Sequence, residues 1–248
     1  MSWYLIYLTP KLTIIYLNLF LSIISKMIEL PVRQQKYQWS CTLDCACAAI
    51  EALTGEYVDT DEILEYIPRI KLSHHYYVDL PPEIKKKAND RGDVKYSAFY
   101  NEEYLSKAVK NISDGKVFHW DIKDWVNVSN VLESGSIKNP MFPDTEDKFF
   151  NYVEKAMNNG FVVNPGLDRI NQRGIAKEAH NSGHSVLIRD ISKKDGTVEI
   201  LDVNYERQGL DPFYWVPYEW LQKTSIILYT KSDWKPDMII GSLESIYD

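Results

Sequence analysis

The sequence predicts an α+β protein in which a largely helical first part precedes a C-terminal antiparallel sheet. In residues 42–53, apolar side chains recur every three or four positions and Gly55 follows, which is typical of a buried helix ending at a glycine. Residues 185–188 and 198–201 are rich in β-branched and aliphatic side chains, and the turn at 194–196 between them predicts a hairpin. Because helical patterns come first and strand patterns later, the chain does not alternate as an α/β protein does.

Weaker local patterns predict the other elements in chain order. They are a short strand at 28–32, a helix that Asp59 caps and Pro68 stops, helices at 83–89, 101–111 and 148–158, and strands at 161–164 and 225–229. Residues 112–147 have no clear pattern. The helix at 42–53 is expected to be buried on nearly all sides, with Asp44 and Glu51 as its exposed positions.

Composition and charge exclude some classes of partner. The 248 residues have room for one large domain or two small ones, and 45% hydrophobic with 25% charged residues is ordinary for a globular protein. The formal net charge is −7, and the longest basic run, at residues 85–87, is interpreted as a solvated helix face. Proteins that bind phosphate backbones need basic surfaces, so nucleic acid is not expected as a partner.

The three cysteines lie close together at Cys41, Cys45 and Cys47. A disulfide framework would use an even number of cysteines spread along the chain. We therefore expect reduced thiols, which favours an intracellular location without fixing it, so cytoplasmic and membrane-associated locations both stay open.

The first 26 residues form a separate hydrophobic segment. Residues 3–24 are mostly apolar, but Pro10, Lys11 and Asn18 interrupt them, and the uncharged stretch at 12–25 has only 14 residues. A bilayer span needs about 20 residues. Three interpretations stay open: a membrane anchor or signal, with possible membrane association through residues 3–25, an extra translated leader upstream of a start at Met27, or a packed helix. The globular domain is predicted at residues 27–248.

Cys41 lies where a polar turn meets the predicted helix at 42–53. The partial positive charge at the amino end of a helix favours a thiolate, which is the nucleophilic form of cysteine. Gln35 precedes it in the turn, and its side-chain amide could donate to a developing oxyanion. A lone buried cysteine is more often a small core residue, so Cys41 needs partners before it indicates catalysis.

His184 and Asp202 are the candidate partners. His184 stands directly before a hydrophobic strand, and Asp202 ends the strand that follows. In a hairpin of this length the two side chains can lie side by side at the same end of the sheet. A carboxylate there would accept the imidazole N–H, fix the tautomer of the ring and stabilise the imidazolium.

Two other assignments of these residues compete with the triad. The cysteines could bind zinc together with His180 and His184, but their spacing is unlike that of zinc fingers. Cys45 could be the nucleophile, although its sulfur would then lie one turn inside the helix. His74, His75 and His119 have no partner at a suitable spacing and are interpreted as structural.

The order of these features resembles the bacteriocin-processing peptidases, a group of cysteine peptidases with the papain fold. The resemblance covers most of residues 27–221 and rests on the following features: the spacing of Gln35 and Cys41, the helix ending near Gly55, the strand at 160–163, the segment 183–186 and the segment 200–202. It implies a papain-like fold in which the buried nucleophile helix packs on the C-terminal sheet. It also implies Cys41 as nucleophile and His184 as base. Asp202 would orient the base, and Gln35 would contribute to the oxyanion hole.

Three features depart from the pattern of that group. Thr42 follows the cysteine where glycine is usual, and Val203 follows Asp202 where proline is frequent. Residues 56–150 are longer than a minimal domain needs and are interpreted as an extended insertion.

The sequence therefore predicts thiol-dependent hydrolysis of a peptide or protein substrate by a Cys-His-Asp triad. The chemistry requires no cofactor and no metal ion. Two alternatives stay open: an acyltransferase or amidase on the same scaffold, and an inactive papain-fold binding module, for which Thr42 is the main hint.

Overall fold

The computed structural model describes residues 28–37, 39–67, 69–71, 96–98, 102–123, 125–127, 136–138, 142–168, 183–231 and 236. The helices bounded within these ranges are α1 (Cys41–Thr54), α2 (Thr60–Leu64), α3 (Glu102–Ile112), α4 (Glu146–Asn158) and α5 (Tyr205–Gln208). The strands are β1 (Arg69–Lys71), β2 (Tyr96–Ala98), β3 (Phe118–Lys123), β4 (Trp125–Asn127), β5 (Ser136–Lys138), β6 (Val162–Asp168), β7 (Gly183–Ser185), β8 (Leu187–Ser192), β9 (Thr197–Leu201), β10 (Phe213–Pro217) and β11 (Leu221–Thr230). A 3₁₀ turn, Tyr218–Trp220, connects the last two strands.

Two antiparallel sheets meet end to end. Strands β3, β11, β6 and β7 form one sheet in that order, and β9 lies between β8 and β10 in the other. Only Val186 separates β7 from β8, and its N–H donates to the carbonyl of Pro165 at 3.3 Å. One continuous stretch of chain, residues 183–192, therefore passes from the first sheet into the second. The short pairs β1–β2 and β4–β5 form separate two-stranded sheets.

Side chains alternate along the strands between two apolar clusters. Val162, Leu187 and Leu201 face the cluster that contains α1, while their chain neighbours Val163, Ile188 and Ile200 face the cluster that contains α4. This is the two-residue period of a sheet that is covered on both faces. The described residues are thus α+β, with α1 on one face of an antiparallel sheet and α4 on the other.

The helix α1 is buried over most of its length because its side chains are small. Ala46, Ala48 and Ala49 are fully buried, so the helix backbone can approach the strands closely. The helix ends at Gly55, whose φ of 80° is the left-handed conformation that glycine adopts readily. The expectation that Asp44 is exposed was wrong: its side chain has 0% relative exposure.

A buried polar network explains why Asp44 can lie inside. Its carboxylate accepts hydrogen bonds from Thr60 Oγ1 at 2.6 Å and Ser40 Oγ at 2.5 Å. Arg33 Nε lies 3.5 Å from Asp44 Oδ1, and Arg33 Nη2 donates to the carbonyl of Val58 at 2.6 Å. The charge of Asp44 is therefore compensated within the interior, although Arg33 Nε and Nη1 make ion-pair contacts without hydrogen bonds. The turn before α1 is fixed to both α1 and α2.

Several predicted elements agree with the structure and others do not. The β8–β9 hairpin is confirmed, and α1, α3 and α4 match the predicted helices within a few residues. Residues 28–32 are not a strand, since they form no ladder and their chain leads instead into the turn that Arg33 anchors. The helix capped by Asp59 begins as predicted, with a capping box that Glu62 completes, but it ends at Leu64 and does not continue to Ile67. The predicted helix at 83–89 lies outside the described residues.

The region interpreted as an insertion contributes to the core at its start, where Ile63 and Leu64 of α2 join the cluster around α1, and again in its second half. Leu105, Ala108 and Val109 of α3 belong to the cluster around α1, and β3 pairs with β11 along the main sheet. Among the described residues no helix is long and apolar enough to cross a membrane, and residues 1–27 lie outside them.

We expect Arg33→Met to lower the free energy of unfolding at pH 7 by about 3–5 kcal/mol, since it leaves Asp44 buried without its cation. Burial already raises the pKa of Asp44 despite its hydrogen bonds to Ser40 and Thr60. Removing Arg33 would raise that pKa further, so the loss should shrink as the pH falls and Asp44 takes up a proton. Chemical denaturation at pH 7 and pH 4.5 measures both effects.

Lys36→Met is the matched control, because Lys36 lies in a half-exposed ion pair with Asp59 and Asp61. Pairs of that kind contribute roughly 0–1 kcal/mol. An equally small loss from both substitutions would contradict the role assigned to Arg33.

Candidate active site

Cys41 is the first residue of α1, and its side chain is half-buried. The turn before it is closed by Ser40, whose Oγ accepts the N–H of Tyr37 at 3.0 Å and whose carbonyl accepts the N–H of Asp44 at 2.8 Å. The first N–H groups of a helix have no partner within the helix. The sulfur of Cys41 therefore lies at the partially positive end of a 14-residue helix.

His184 lies at the joint between the two sheets. It is the middle residue of β7 and pairs with Leu167 of β6, and its side chain is 0% exposed. Its Nε2 lies 2.5 Å from Oδ1 of Asp202. The β8–β9 register explains this contact, because Asp202 follows Leu201, which lies opposite Leu187.

Asp202 is fully buried, and both of its oxygens have hydrogen-bond partners. The N–H of Asn204 donates to Oδ1 at 2.8 Å, and the hydroxyl of Tyr214 donates to Oδ2 at 2.7 Å. The main chain is also fixed, since the N–H of Asp202 donates to the carbonyl of Pro212 at 3.0 Å. The carboxylate that faces His184 is thus held by Asn204 from the segment that follows it and by Tyr214 of β10.

The two charges stabilise each other in the interior. Burial lowers the pKa of an imidazole, but the charge of Asp202 and hydrogen bonds to Asp202 and Cys41 outweigh it and raise the pKa of His184 to about 9. Burial raises the pKa of a carboxyl group, but the charge of His184 and the hydrogen bond from it outweigh burial at Asp202. Hydrogen bonds from Asn204 and Tyr214 add to this, and the pKa of Asp202 falls to about 2. The favoured state is an imidazolium beside a carboxylate.

The same ring also contacts the cysteine. A side-chain hydrogen bond joins His184 to Cys41 and contributes to the raised pKa of the histidine. Since Nε2 faces Asp202, Nδ1 is the ring nitrogen left for Cys41. A positively charged group beside a thiol favours the thiolate, as does the helix end on which Cys41 lies.

Cys45 connects α1 to the strand that carries His184. Its sulfur is fully buried and donates to the carbonyl of Ser185 at 3.4 Å. Burial raises the pKa of Cys45 well above its ordinary value, which keeps it a neutral thiol. Cys45 therefore does not suit the role of nucleophile. Cys47 is equally buried, and burial raises its pKa to about 12.

Asn164 of β6 also holds the chain where it passes from β7 to β8. Its Nδ2 donates to the carbonyl of Val186 at 2.6 Å and to Oγ of Ser185 at 3.2 Å. The chain immediately after His184 is thus bonded to β6 through both backbone and side chain.

Gln35 is buried in the turn that precedes α1. Its N–H donates to the carbonyl of Val203 at 2.5 Å, and the N–H of Lys36 donates to Asp44 Oδ2 at 3.3 Å. These bonds place Gln35 between the first turn of α1 and the segment after Asp202. Its Nε2 donates to the carbonyl of Tyr37 at 2.5 Å, which uses one of the two amide N–H groups. A cavity of about 430 Å³ opens beside it.

The zinc interpretation gains no support from the geometry. Within the described ranges, which leave out His180, no three or more His, Cys, Asp or Glu side chains are grouped so that they could hold a metal ion. His119 is buried in β3 against Tyr229, with ring centroids 5.5 Å apart, and burial lowers its pKa to about 4. It lies in the hydrophobic interior, as expected of a structural histidine.

Sequence reasoning missed the residues that hold the triad in place. Tyr214, Asn204, Cys45 and Asn164 all contact the triad or the chain next to it. Tyr214 could have been found if β10 had been recognised in the aromatic stretch after residue 212, because it pairs with Ile200 two residues before Asp202. The other three contacts depend on the packing of distant segments, for which the sequence carries no local signal.

A scan against protein-family models finds no match for this chain, and a search of curated proteins finds none either. The assignment of function therefore depends on the residues and their geometry.

We expect the His184–Asp202 pair to stabilise the fold fully only between about pH 4 and 6.5. The pKa of His184 rises from 6.5 to about 9 on folding, so its contribution is complete below pH 6.5 and is lost as the pH rises through 9. The pKa of Asp202 falls from 3.8 to about 2, so its contribution is present above pH 3.8 and is lost as the pH falls towards 2. The measurement is the difference in unfolding free energy between the wild type and His184→Gln as a function of pH. A difference that does not vary with pH would contradict the ion pair.

Proposed function

We propose that this protein is a thiol-dependent hydrolase of peptide-like substrates, with Cys41 as nucleophile and His184 as general base and acid. The observation that carries the proposal is the buried ring of His184, which contacts Asp202 on one side and Cys41 on the other. A nucleophile, a base within hydrogen-bonding reach and a third group that orients the base are the arrangement that covalent acyl transfer requires.

The reaction would proceed in two steps, the acylation of Cys41 and the hydrolysis of the resulting thioester. In the resting pair the proton of Cys41 already lies on Nδ1 of His184, and the thiolate attacks the carbonyl carbon of the substrate. The tetrahedral intermediate collapses as His184 protonates the leaving amine, which gives a thioester on Cys41. Water then gives a proton to the neutral His184 as it attacks the thioester, and the acid product leaves as the Cys41 thiolate beside the His184 imidazolium is restored.

We propose two donors for the oxyanion. The backbone N–H of Cys41 belongs to the first turn of α1, where N–H groups have no partner within the helix. Gln35 would supply the second donor through the amide hydrogen that Tyr37 does not use. Neither donor would have to reorient during the reaction, because Arg33 and Asp44 fix the turn before α1.

We also propose that the fold is papain-like. Support comes from the chain order of the site, with the cysteine opening a buried helix and the histidine and aspartate following on neighbouring strands of an antiparallel sheet. An inactive binding module is less well supported, because it has no need of a buried imidazolium beside a half-buried cysteine. Acyl transfer to an acceptor other than water uses the same residues and remains the second candidate reaction.

We expect iodoacetamide to modify Cys41 at least 100-fold faster than Cys45 or Cys47, because only Cys41 combines exposure with a neighbouring cation. Peptide mapping by mass spectrometry after timed labelling gives the three rates.

Cys41→Ala should abolish hydrolysis of a peptide substrate with little loss of stability, while Cys47→Ala serves as the buried-thiol control. Full activity in Cys41→Ala, or equal labelling of all three thiols, would rule out the proposed nucleophile.

We expect Asp202→Asn to lower turnover roughly 10- to 1000-fold, because an amide cannot stabilise the imidazolium as a carboxylate does. In serine triads the same change costs about 10⁴, and a preformed thiolate depends less on the orienting group. Asp202 is fully buried, and both of its oxygens are hydrogen-bonded. The substitution should therefore also cost about 1–3 kcal/mol of stability. Turnover measured below the melting transitions of both proteins separates the two effects, and unchanged turnover would remove Asp202 from the site.

A further inference from the structure

Tyr214 contacts the side of Asp202 that His184 leaves free. It is the second residue of β10 and lies opposite Ile200 of β9. Side chains two residues apart on a strand share a face, so Tyr214 and Asp202 are diagonal neighbours across the two strands. The phenol hydroxyl reaches Oδ2 of Asp202 at 2.7 Å, and the rest of the ring packs with the cluster that contains α4.

The two oxygens of Asp202 have different partners. Oδ1 faces His184 Nε2 and also accepts the N–H of Asn204. Rotation of a carboxylate about its Cβ–Cγ bond has a broad, shallow energy profile, so contacts at one oxygen alone leave the plane of the group free to turn. The bond from Tyr214 at Oδ2 fixes that plane. The direction in which Oδ1 faces the ring then depends on β10 as well as on β9.

We propose that Tyr214 is a positioning residue that acts on the reaction through Asp202 and His184. This inference rests on the proposed hydrolase function. Tyr214 would hold the carboxylate in its ionised form and in one orientation, and the carboxylate in turn fixes which ring nitrogen faces Cys41. Among the described residues, His184 and Tyr214 act on the carboxylate of Asp202, Asp202 acts on Cys45, and Cys41 acts on His184.

Tyr214→Phe removes the hydroxyl and keeps the ring, so it tests the hydrogen bond without emptying the core. We expect kcat to fall roughly 10-fold, the size of effect that the loss of a hydrogen bond to a charged group produces. A hydrogen bond to the charged form lowers the pKa of a carboxyl group, so its loss should move the acid limb of the pH–rate profile to higher pH. A residue with a packing role alone would lower the melting temperature and leave that limb in place.

The control is Tyr218→Phe, whose ring packs on Phe149 and Phe150 in the same cluster as Tyr214. Tyr218→Phe should leave both kcat and the acid limb unchanged.

In an Asp202→Asn background, Tyr214→Phe should have little further effect on kcat, because the group through which it acts has already been replaced.

The outcomes separate the two proposals. If the wild type hydrolyses a peptide, Asp202→Asn is impaired and Tyr214→Phe matches the wild type, the assignment of Tyr214 is wrong and the proposed function stands. The assignment of Tyr214 is equally wrong if Tyr214→Phe lowers kcat by the same factor in the wild-type and Asp202→Asn backgrounds. If the wild type shows neither peptide hydrolysis nor selective labelling of Cys41, both proposals are overturned.

Discussion

The buried contact between His184 and Asp202 is the constraint on which the rest of the site depends. Two charges can lie in the interior only if each compensates the other and the remaining polar groups are hydrogen-bonded. The contact joins two sheets, because His184 belongs to β7 and Asp202 follows β9. It can form only where the chain passes from one sheet to the other at Val186, and the bonds from Asn164 and to Pro165 hold that passage in place. The position of the joint between the sheets therefore decides where the candidate chemistry lies.

The position of Cys41 follows from the packing of α1 on the same joint. Cys45 lies one turn after Cys41, so both project towards the same side of the helix. The bond from Cys45 to the carbonyl of Ser185 fixes the position of α1 along β7. Cys41 thereby lies beside His184, the residue that precedes Ser185. A thiol suits this contact, since it is small, apolar and a weak donor. The fully buried alanines that follow let the helix lie close enough to the strands for the contact to form.

The sequence predicted the elements with strong local patterns and little of what binds them together. The period of α1, its glycine end and the hairpin turn near Gly196 depend on neighbouring residues, so they could be read directly. The pairing of His184 with Asp202 followed from the length of that hairpin. The burial of Asp44 could not be foreseen, because it depends on Arg33 and Thr60, which approach it from separate segments. The strand at 28–32 was wrong for a related reason: a short apolar run predicts a strand only if a partner strand lies beside it.

Two buried carboxylates lie at the start of α1, Asp44 within the helix and Asp202 close to Cys45, and their different partners give them different roles. Asp44 is paired with Arg33, whose guanidinium stays charged at any physiological pH and cannot give up a proton. Asp202 is paired with His184, whose ring can both take and release one. Burial raises the pKa of Asp44, whereas the imidazolium of His184 and the hydrogen bonds around Asp202 lower the pKa of Asp202 in spite of its burial. The first pair fixes the turn that carries Gln35, and the second faces the sulfur of Cys41. A permanent cation thus lies where the fold needs a rigid anchor, and a titratable one lies where the proposed reaction needs a proton to move.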